Sequence, residues 1–456
     1  MRNRIIHVAL AALLTVLSQP ARTLELGLEG YLGVEGSDNI DSANPPLEED
    51  GSLLTGIVGI YGEQRGQKLQ AGFVGELETR RRLDRDDEFD SLSRFLGAAE
   101  FTLSPRRLYW YAGDILAGVR ADDAFQPIDD ADTVRRNVFV TGPRFTFDTG
   151  PDQRIEGRLF YVDQSEADEP VDDLVNFSTR WVRDTLPGSF FGFRLNDVYT
   201  LRADDDADDV NRMSILGFWN RQRGVTNLYG ELGATRYAVD DDSLDGFSAL
   251  LSAKREIGPA SSVSVTLWHD LTDQSLSTVE SIIGSGANAI GVQPESSGYF
   301  NHTRLEAAYG FDSRRTSFDV GGGYSVMQYE QLFTGLDAVD PASEDRDKAN
   351  VWLGYGRHLS ARWRISFGSS YERQTYDNRA DESESLLFEG SVFYRLNRSL
   401  ELGLSLAHDR AEGTRTRGDM LETVDTTENR FGLGLRWAPP SRASKELTIE
   451  LKSLLQ

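Results

Sequence analysis

The 456-residue chain contains no cysteine, so no disulfide staples it. That absence is compatible with an exported protein of the periplasm or outer membrane and equally with a cytosolic one, so it does not place the chain. A long hydrophobic run is also missing. Past the N-terminus nothing approaches the ~20 apolar residues that a spanning helix needs. If the mature chain lies in a membrane it must cross as strands, because backbone polar groups in lipid have to pair internally and only helices and closed barrels achieve that. Histidine is scarce. Beyond His7 there are only His269, His302, His358 and His408, and no serine stands at a spacing from any of them that suggests a nucleophile and base. No interior linker separates two folding units. No repeat is visible beyond a rhythm of roughly forty residues, and the internal similarity that propeller blades would show is missing.

The N-terminus has the pattern of a secretory signal peptide. Arg2 and Arg4 form a basic start, Ile5–Leu17 is apolar apart from His7 and Thr15, and Ser18–Ala21 follows as a cleavage region. Residues 1–21 are therefore excluded from the fold. The net charge of −25 and the negative mean hydropathy resemble a soluble protein's. A β-barrel escapes that inference, because only every second strand residue meets lipid while lumen and loops stay polar.

The first mature segment shows this alternation. Leu24, Leu26, Leu28, Leu32 and Val34 fall on one parity, and Glu25, Gly27, Glu29, Tyr31, Gly33 and Glu35 on the other. A period of two sustained over twelve residues is a strand signature that a helix would scramble. The same pattern recurs at Phe95–Leu103, Ile155–Tyr161, Leu386–Tyr394, Leu400–Leu406 and Phe431–Trp437. Short turns are expected at Arg65–Gln67, Ser104–Arg107, Asp148–Gln153, Asp184–Gly188, Arg223–Val225, Ile257–Ser261, Asp312–Arg315, Leu359–Arg362 and Leu396–Ser399. Longer polar stretches alternate with them: Gly36–Gly51, Arg80–Asp90, Arg120–Arg136, Asp163–Asp173, Ala203–Asp209, Asp240–Ser243, Asp273–Ser296, Gln331–Asp347, Thr375–Glu382 and Asp409–Thr427. The long stretches carry acidic clusters such as Asp204–Asp209, and the short turns carry arginines such as Arg106, Arg107, Arg314 and Arg315. Aromatic residues gather near the strand ends, as interface girdles do.

These features predict an all-β fold: a transmembrane antiparallel up-and-down β-barrel of about 20 strands (18–20), with both termini on the short-turn, periplasmic side. The barrel spans residues 22–438, and 439–456 form a periplasmic tail or an extra strand. The expected location is the Gram-negative cell outer membrane. Parity places Glu25, Glu29, Arg94, Glu100, Glu156, Arg158, Glu231, Arg304, Glu306, Arg364, Glu389, Glu401, Arg430 and Arg436 in the lumen. There they either set selectivity or pair with one another and hold the wall. Arg120–Arg136 and Asp273–Ser296 are the expected constrictions. Asp204–Asp209 offers hard oxygen ligands but lacks the spaced glycine and distal glutamate of an EF-hand loop, so no metal site and no cofactor are expected. The expected contacts are outer-membrane lipid and lipopolysaccharide, with divalent cations or polysaccharide at the acidic outer loops, and no nucleic acid.

Several short motifs carry a family resemblance: Gly36-Ser37-Asp38-Asn39-Ile40 after the first strand, Leu103-Ser104-Pro105-Arg106-Arg107, Trp110 with Asp114, Thr141-Gly142-Pro143, and Glu428-Asn429-Arg430 opening the last strand. In these the chain resembles the outer-membrane β-barrels associated with PEP-CTERM/exosortase systems, found near exopolysaccharide gene clusters. The resemblance implies an outer-membrane barrel that is an exit channel for secreted polysaccharide, and the expected function is a passive porin for exopolysaccharide export, not an enzyme. The alternatives from the residues are a non-conducting structural or surface-interaction barrel, and an outer-membrane hydrolase using His302, which parity sets beside Arg304 and Glu306.

Overall fold

The computed structural model describes residues 24–40, 44–45, 47–84, 89–120, 133–166, 169–202, 209–239, 242–273, 298–332, 345–378, 380–417 and 420–439. The expected signal peptide, the tail from residue 440 on and most of the acidic outer clusters lie outside them.

Every regular element among the described residues is a strand. The first strands are β1 (Leu24–Ser37), β2 (Gly51–Arg65), β3 (Leu69–Arg82), β4 (Phe89–Ser104), β5 (Leu108–Arg120), β6 (Thr133–Gly150) and β7 (Gln153–Glu166). Next come the two-residue β8 (Glu169–Pro170), β9 (Asp173–Leu186), β10 (Ser189–Leu201), β11 (Val210–Arg223), β12 (Thr226–Val239), β13 (Asp242–Gly258) and β14 (Ser261–Asp273). The last are β15 (Gly298–Asp312), β16 (Thr316–Leu332), β17 (Arg346–His358), β18 (Trp363–Tyr376), β19 (Glu382–Arg395), β20 (Leu400–Arg417) and β21 (Met420–Trp437). Apart from β8, which pairs only with the end of β7, each strand runs antiparallel to its sequence neighbours. The ring closes where β1 pairs with β21, from Gly30↔Trp437 to Ser37↔Arg430. The result is a closed 20-strand antiparallel barrel.

The pairing register explains the alternation in sequence, since direct cross-strand partners share a face. One row runs Leu32, Leu435, Leu402, Tyr394, Trp363 and is apolar throughout. The row one residue away, Tyr31, Arg436, Glu401, Arg395, is polar. The apolar rows face outward and are bare: Leu232 is 65% exposed and Phe193 61%. A contiguous apolar surface around an entire barrel is what lipid requires and what water does not tolerate. Trp110, Trp181, Trp219, Trp363 and Trp437 stand on this outer face near the short-turn ends of β5, β9, β11, β18 and β21, forming one girdle.

One expected loop is corrected. Asp409–Thr427 is mostly strand, because β20 and β21 stay paired from Asp409↔Glu428 up to Arg417↔Met420. This ribbon lies above the lipid belt, where both of its faces are wet. No apolar alternation survives there to mark the strand.

The interior is not uniform. Inward side chains of β4–β10 form a buried apolar cluster, with Ile115, Val138 and Phe160 at 0% exposure and Tyr111, Val140, Val162, Leu174 and Val198 around them. Val210, Tyr237, Leu271 and Tyr299 form a second cluster within β11–β15. The inner face of β16–β21 is different: Gly321, Gly323, Ser366, Gly368, Ser370, Ser391, Gly403 and Ser405 line it, with Glu389 and Ser370 exposed.

Candidate functional site: the barrel interior

The register sets every lumen residue named from parity on the face opposite the apolar belt, and it shows what each one meets. Glu29 accepts from Arg436 Nη2 at 2.8 Å. Arg94 reaches Glu76 at 3.2 Å and Glu78 at 3.7 Å. Glu100 accepts the Tyr111 hydroxyl and lies 3.8 Å from Arg144. Glu156 holds Arg154 at 2.6 Å and Arg180 at 2.5 Å. Glu231 accepts from Tyr229 and from Arg194 Nη2, the latter at 2.7 Å. Arg304 and Glu306 pair at 2.6 Å, Arg395 and Glu401 at 2.8 Å, and Arg430 lies 3.9 Å from Glu428. Arg364 stacks over the Phe393 ring, 4.3 Å from its centroid. Glu389 stands exposed opposite Gly368, and Glu25 is opposite Glu63. Many of these charges therefore brace the wall as pairs.

Arg158 is the centre of an arrangement that parity alone did not reveal. It is the direct cross-strand partner of Arg144 on β6. On the other side of β7, Arg180 pairs with Glu156 and, across β9–β10, with Arg194. Four arginines thus climb four neighbouring strands as a staircase, and Arg158 lies in the combined field of Arg194, Arg180 and Arg144 and of the opposing carboxylate Glu156. The carboxylates Glu100, Glu156 and Glu231 are more buried than the guanidiniums of Arg144 and Arg180, which remain nearly half exposed. Arg144 is further supported by the Tyr109 and Tyr111 rings, 5.1 and 4.9 Å away. Its position follows a local break. Gly142-Pro143 interrupts the β6–β7 ladder between Thr141↔Tyr161 and Arg144↔Arg158, as a proline without an amide hydrogen must.

A second feature narrows the bore. Pairing of β13 with β14 stops at Ala249↔His269, while β14 continues to pair with β15 as far as Asp273↔Tyr299. Asp270–Asp273 leave the wall and fold inward. Arg212 on β11 donates to Asp270 and, at 3.3 Å, to the Leu271 carbonyl. Ser248 also donates to Asp270, Tyr237 donates to Asp273 at 2.9 Å, and the Tyr237 and Tyr299 rings lie 4.7 Å apart. Gly246 makes room for this. A Cβ there would meet the Leu271 Cβ at 2.8 Å. The strand ends flanking residues 274–297 therefore lie inside the barrel. The expected constrictions, 120–136 and 273–296, fall largely outside the described residues.

His302 faces inward as expected, packed edge-on to Trp268 with centroids 4.8 Å apart. Its buried Nε2 has no hydrogen-bond partner among the described residues. Among the described residues no group of three or more acidic or histidine side chains could hold a metal ion. Asp209, the described end of the Asp204–Asp209 cluster, accepts the Tyr199 hydroxyl at 2.9 Å and the Arg202 amide at 3.2 Å.

No protein-family model and no curated protein matches the chain. Among solved structures, the chain is similar to the FrpB iron transporter of Neisseria meningitidis, with 8% identity over 91% of this chain and 82% of that one and a TM-score of 0.47. It is similar to OccK2 of Pseudomonas aeruginosa in complex with glucuronate, with 11% identity over 91% and 98% and a TM-score of 0.43. It is also similar to OccAB3 of Acinetobacter baumannii, with 12% identity over 91% and 99% and a TM-score of 0.36.

Proposed function

We propose that the chain is a passive channel of the Gram-negative outer membrane, with its belt in lipid and its conducting path along the inner face of β16–β21 and β1–β3. The observation that carries this is the contrast between faces on that arc. The outer face is leucine and phenylalanine, while the inner face mixes glycine, serine and charge with rings such as Trp352 over Gly321 and Phe393 over Gly403, and Glu389 and Ser370 stand exposed on it. Where that wall is small and open, as at Gly368, Ser370 and Ser391, it leaves bore and presents water-compatible groups to a solute. The resemblance to barrels of exopolysaccharide loci supports secreted polysaccharide as the cargo. The lumen residues from Glu25 to Arg436 named above would then set which solutes pass.

Single-channel recording in planar bilayers tests this. A steady conductance is expected, and Gly368→Phe should lower it without loss of fold, because Gly368 has room around it: the nearest atom to a Cβ there would be Glu389 Oε2, at 3.9 Å. A folded, silent barrel would instead favour the non-conducting structural reading, which the apolar clusters of β4–β15 and the wall-bracing charge pairs support.

A further inference from the structure

We propose that Tyr31, Phe393 and Arg364 form a stacking site for a pyranose ring, one sugar unit of a saccharide held against the open arc of the barrel. The inference rests on the channel reading and deepens it by naming the class of solute that the path retains. Tyr31 on β1 and Phe393 on β19 stand on the inner face, partly exposed. Neither ring projects freely into the bore. The hydroxyl end of Tyr31 occupies the space that β-carbons on Gly33 and Gly434 would need. Phe393 lies over Gly403 in the same way, with its nearest ring atom 3.0 Å from where a β-carbon would stand. Gly33 pairs with Gly434, and Gly434 with Gly403. The two rings are therefore laid along the wall beside each other, over one row that crosses β20, β21 and β1.

Arg364 supplies the polar part. It is the direct cross-strand partner of Phe393, and its guanidinium lies over that ring, 4.3 Å from the centroid. The neighbouring arginines are taken: Arg436 by Glu29 and Arg395 by Glu401, each at 2.8 Å. Arg364 has no carboxylate partner among the described residues. An ionisable side chain in a membrane-spanning wall that no counter-charge claims marks a solute path. Its forked N–H groups can reach two adjacent oxygens at once. A pyranose has the complementary form. Its C–H groups make one face apolar, and its hydroxyls ring the edge. Aromatic side chains take the apolar face, and a few placed polar groups fix the edge. A small ion would use only Arg364, and a flexible apolar chain only the rings. Arg364 follows Trp363 of the girdle in sequence, so the site lies towards the short-turn end of the bore.

The experiment is titration calorimetry on the full-length barrel in detergent. The probes are the hexasaccharides of cellulose, mannan and polygalacturonate, with a polyethylene glycol of similar length as the non-stacking reference. At least one hexasaccharide should bind saturably, and the polyethylene glycol should not. Tyr31→Ala should weaken that binding roughly tenfold, and Tyr31→Phe, which keeps the aromatic face, should restore it. Arg364→Gln should weaken the same saccharide. Trp352→Ala removes a ring laid over Gly321 elsewhere on the arc and should leave the affinity unchanged. Should Tyr31→Ala fail to fold, Tyr31→Leu still covers the glycine pair but offers no aromatic face, and should lose binding equally. No saturable binding of any hexasaccharide, or wild-type binding by Tyr31→Leu, would overturn the site. Calorimetry needs no current, so the two readings fail separately. A barrel that binds saccharide but never conducts would sink the channel reading and leave this site standing, and one that conducts but binds none would do the reverse.

Discussion

The two halves of the barrel solve the same problem in opposite ways. Both must present grease to lipid and close a ring of backbone hydrogen bonds. On β4–β15 the inner face is also apolar in large part and is packed until Ile115 and Phe160 lose all contact with solvent. On β16–β21 the inner face is rich in glycine and serine, and larger side chains such as Trp352, Leu387 and Phe393 stay only partly buried, so stability there leans on the ladder itself and on braces such as Lys348–Glu372 at 2.7 Å and Arg395–Glu401. The comparison teaches that a wide barrel does not need a uniform lumen. One arc can act as a folded core while the other remains a wet wall.

Truncation should separate the arcs most sharply. Phe160→Ala removes a ring from the packed arc and should cost ~3–5 kcal/mol, the range for buried aromatic truncations. Leu387→Ala on β19, inward but only partly buried, should cost under ~1.5 kcal/mol. Urea unfolding in lipid vesicles, followed by tryptophan fluorescence, measures both. Similar losses at the two positions would erase the distinction between arcs.

Glycines give a smaller and more local contrast. A Cβ on Gly192 in β10 would stand 1.9 Å from the Trp181 carbonyl oxygen, a backbone atom that cannot swing aside. Gly368 in β18 has its nearest neighbour at 3.9 Å. Gly192→Ala should therefore destabilise by ~1–3 kcal/mol, and Gly368→Ala should stay within ~0.5 kcal/mol of wild type. The same unfolding assay compares them, and a tolerated alanine at 192 would show that the packed arc has slack.

Much of this architecture is legible in the sequence because lipid enforces a period of two. That is why the strand count, the alternation of short and long connections and the facing of Glu156, Arg158 or Arg430 follow from residue order. The signal fades wherever both faces share one environment. On β10, Phe190 faces inward and Phe191 outward, so Arg194 does not stand out as a lumen residue. On β20–β21 above the lipid both faces are wet, and a paired ribbon reads as a loop. Leu271 and Asp273 occupy outward parity on β14, yet lie buried inside because the strand leaves the wall after His269. No one-dimensional pattern encodes that departure. The family-like motifs have a physical meaning that their order in the chain conceals. Gly36–Ile40 and Glu428–Arg430 are two sides of one contact at the seam. Ser37 donates to Glu428 at 2.6 Å, and Asn39 Nδ2 donates to the Thr427 carbonyl at 3.1 Å.

That seam supplies the smallest effect and the one that depends on pH. The β1–β21 pairing runs only from Gly30 to Ser37, and beyond it Asp38 continues the join by accepting from the Asn429 amide and from Asn429 Nδ2, both at 2.7 Å. Burial pushes the Asp38 carboxyl up, but the two bonds from Asn429 and the nearby His408 outweigh it, and the group ends below its ordinary value. A carboxyl lowered on folding stabilises the barrel fully above its unfolded pKa and loses that contribution as the pH falls through the lowered folded value. The latch is therefore intact at neutral pH and releases only in acid below the ordinary carboxylate range, ~4. Being exposed, it is worth ~0.2–1 kcal/mol at most. Asp38→Asn should lower the urea midpoint slightly at pH 7, and the gap from wild type should shrink as the pH is taken from 5 towards 3. A gap that stayed constant over that interval would mean that the carboxylate's charge contributes nothing to holding the ring closed.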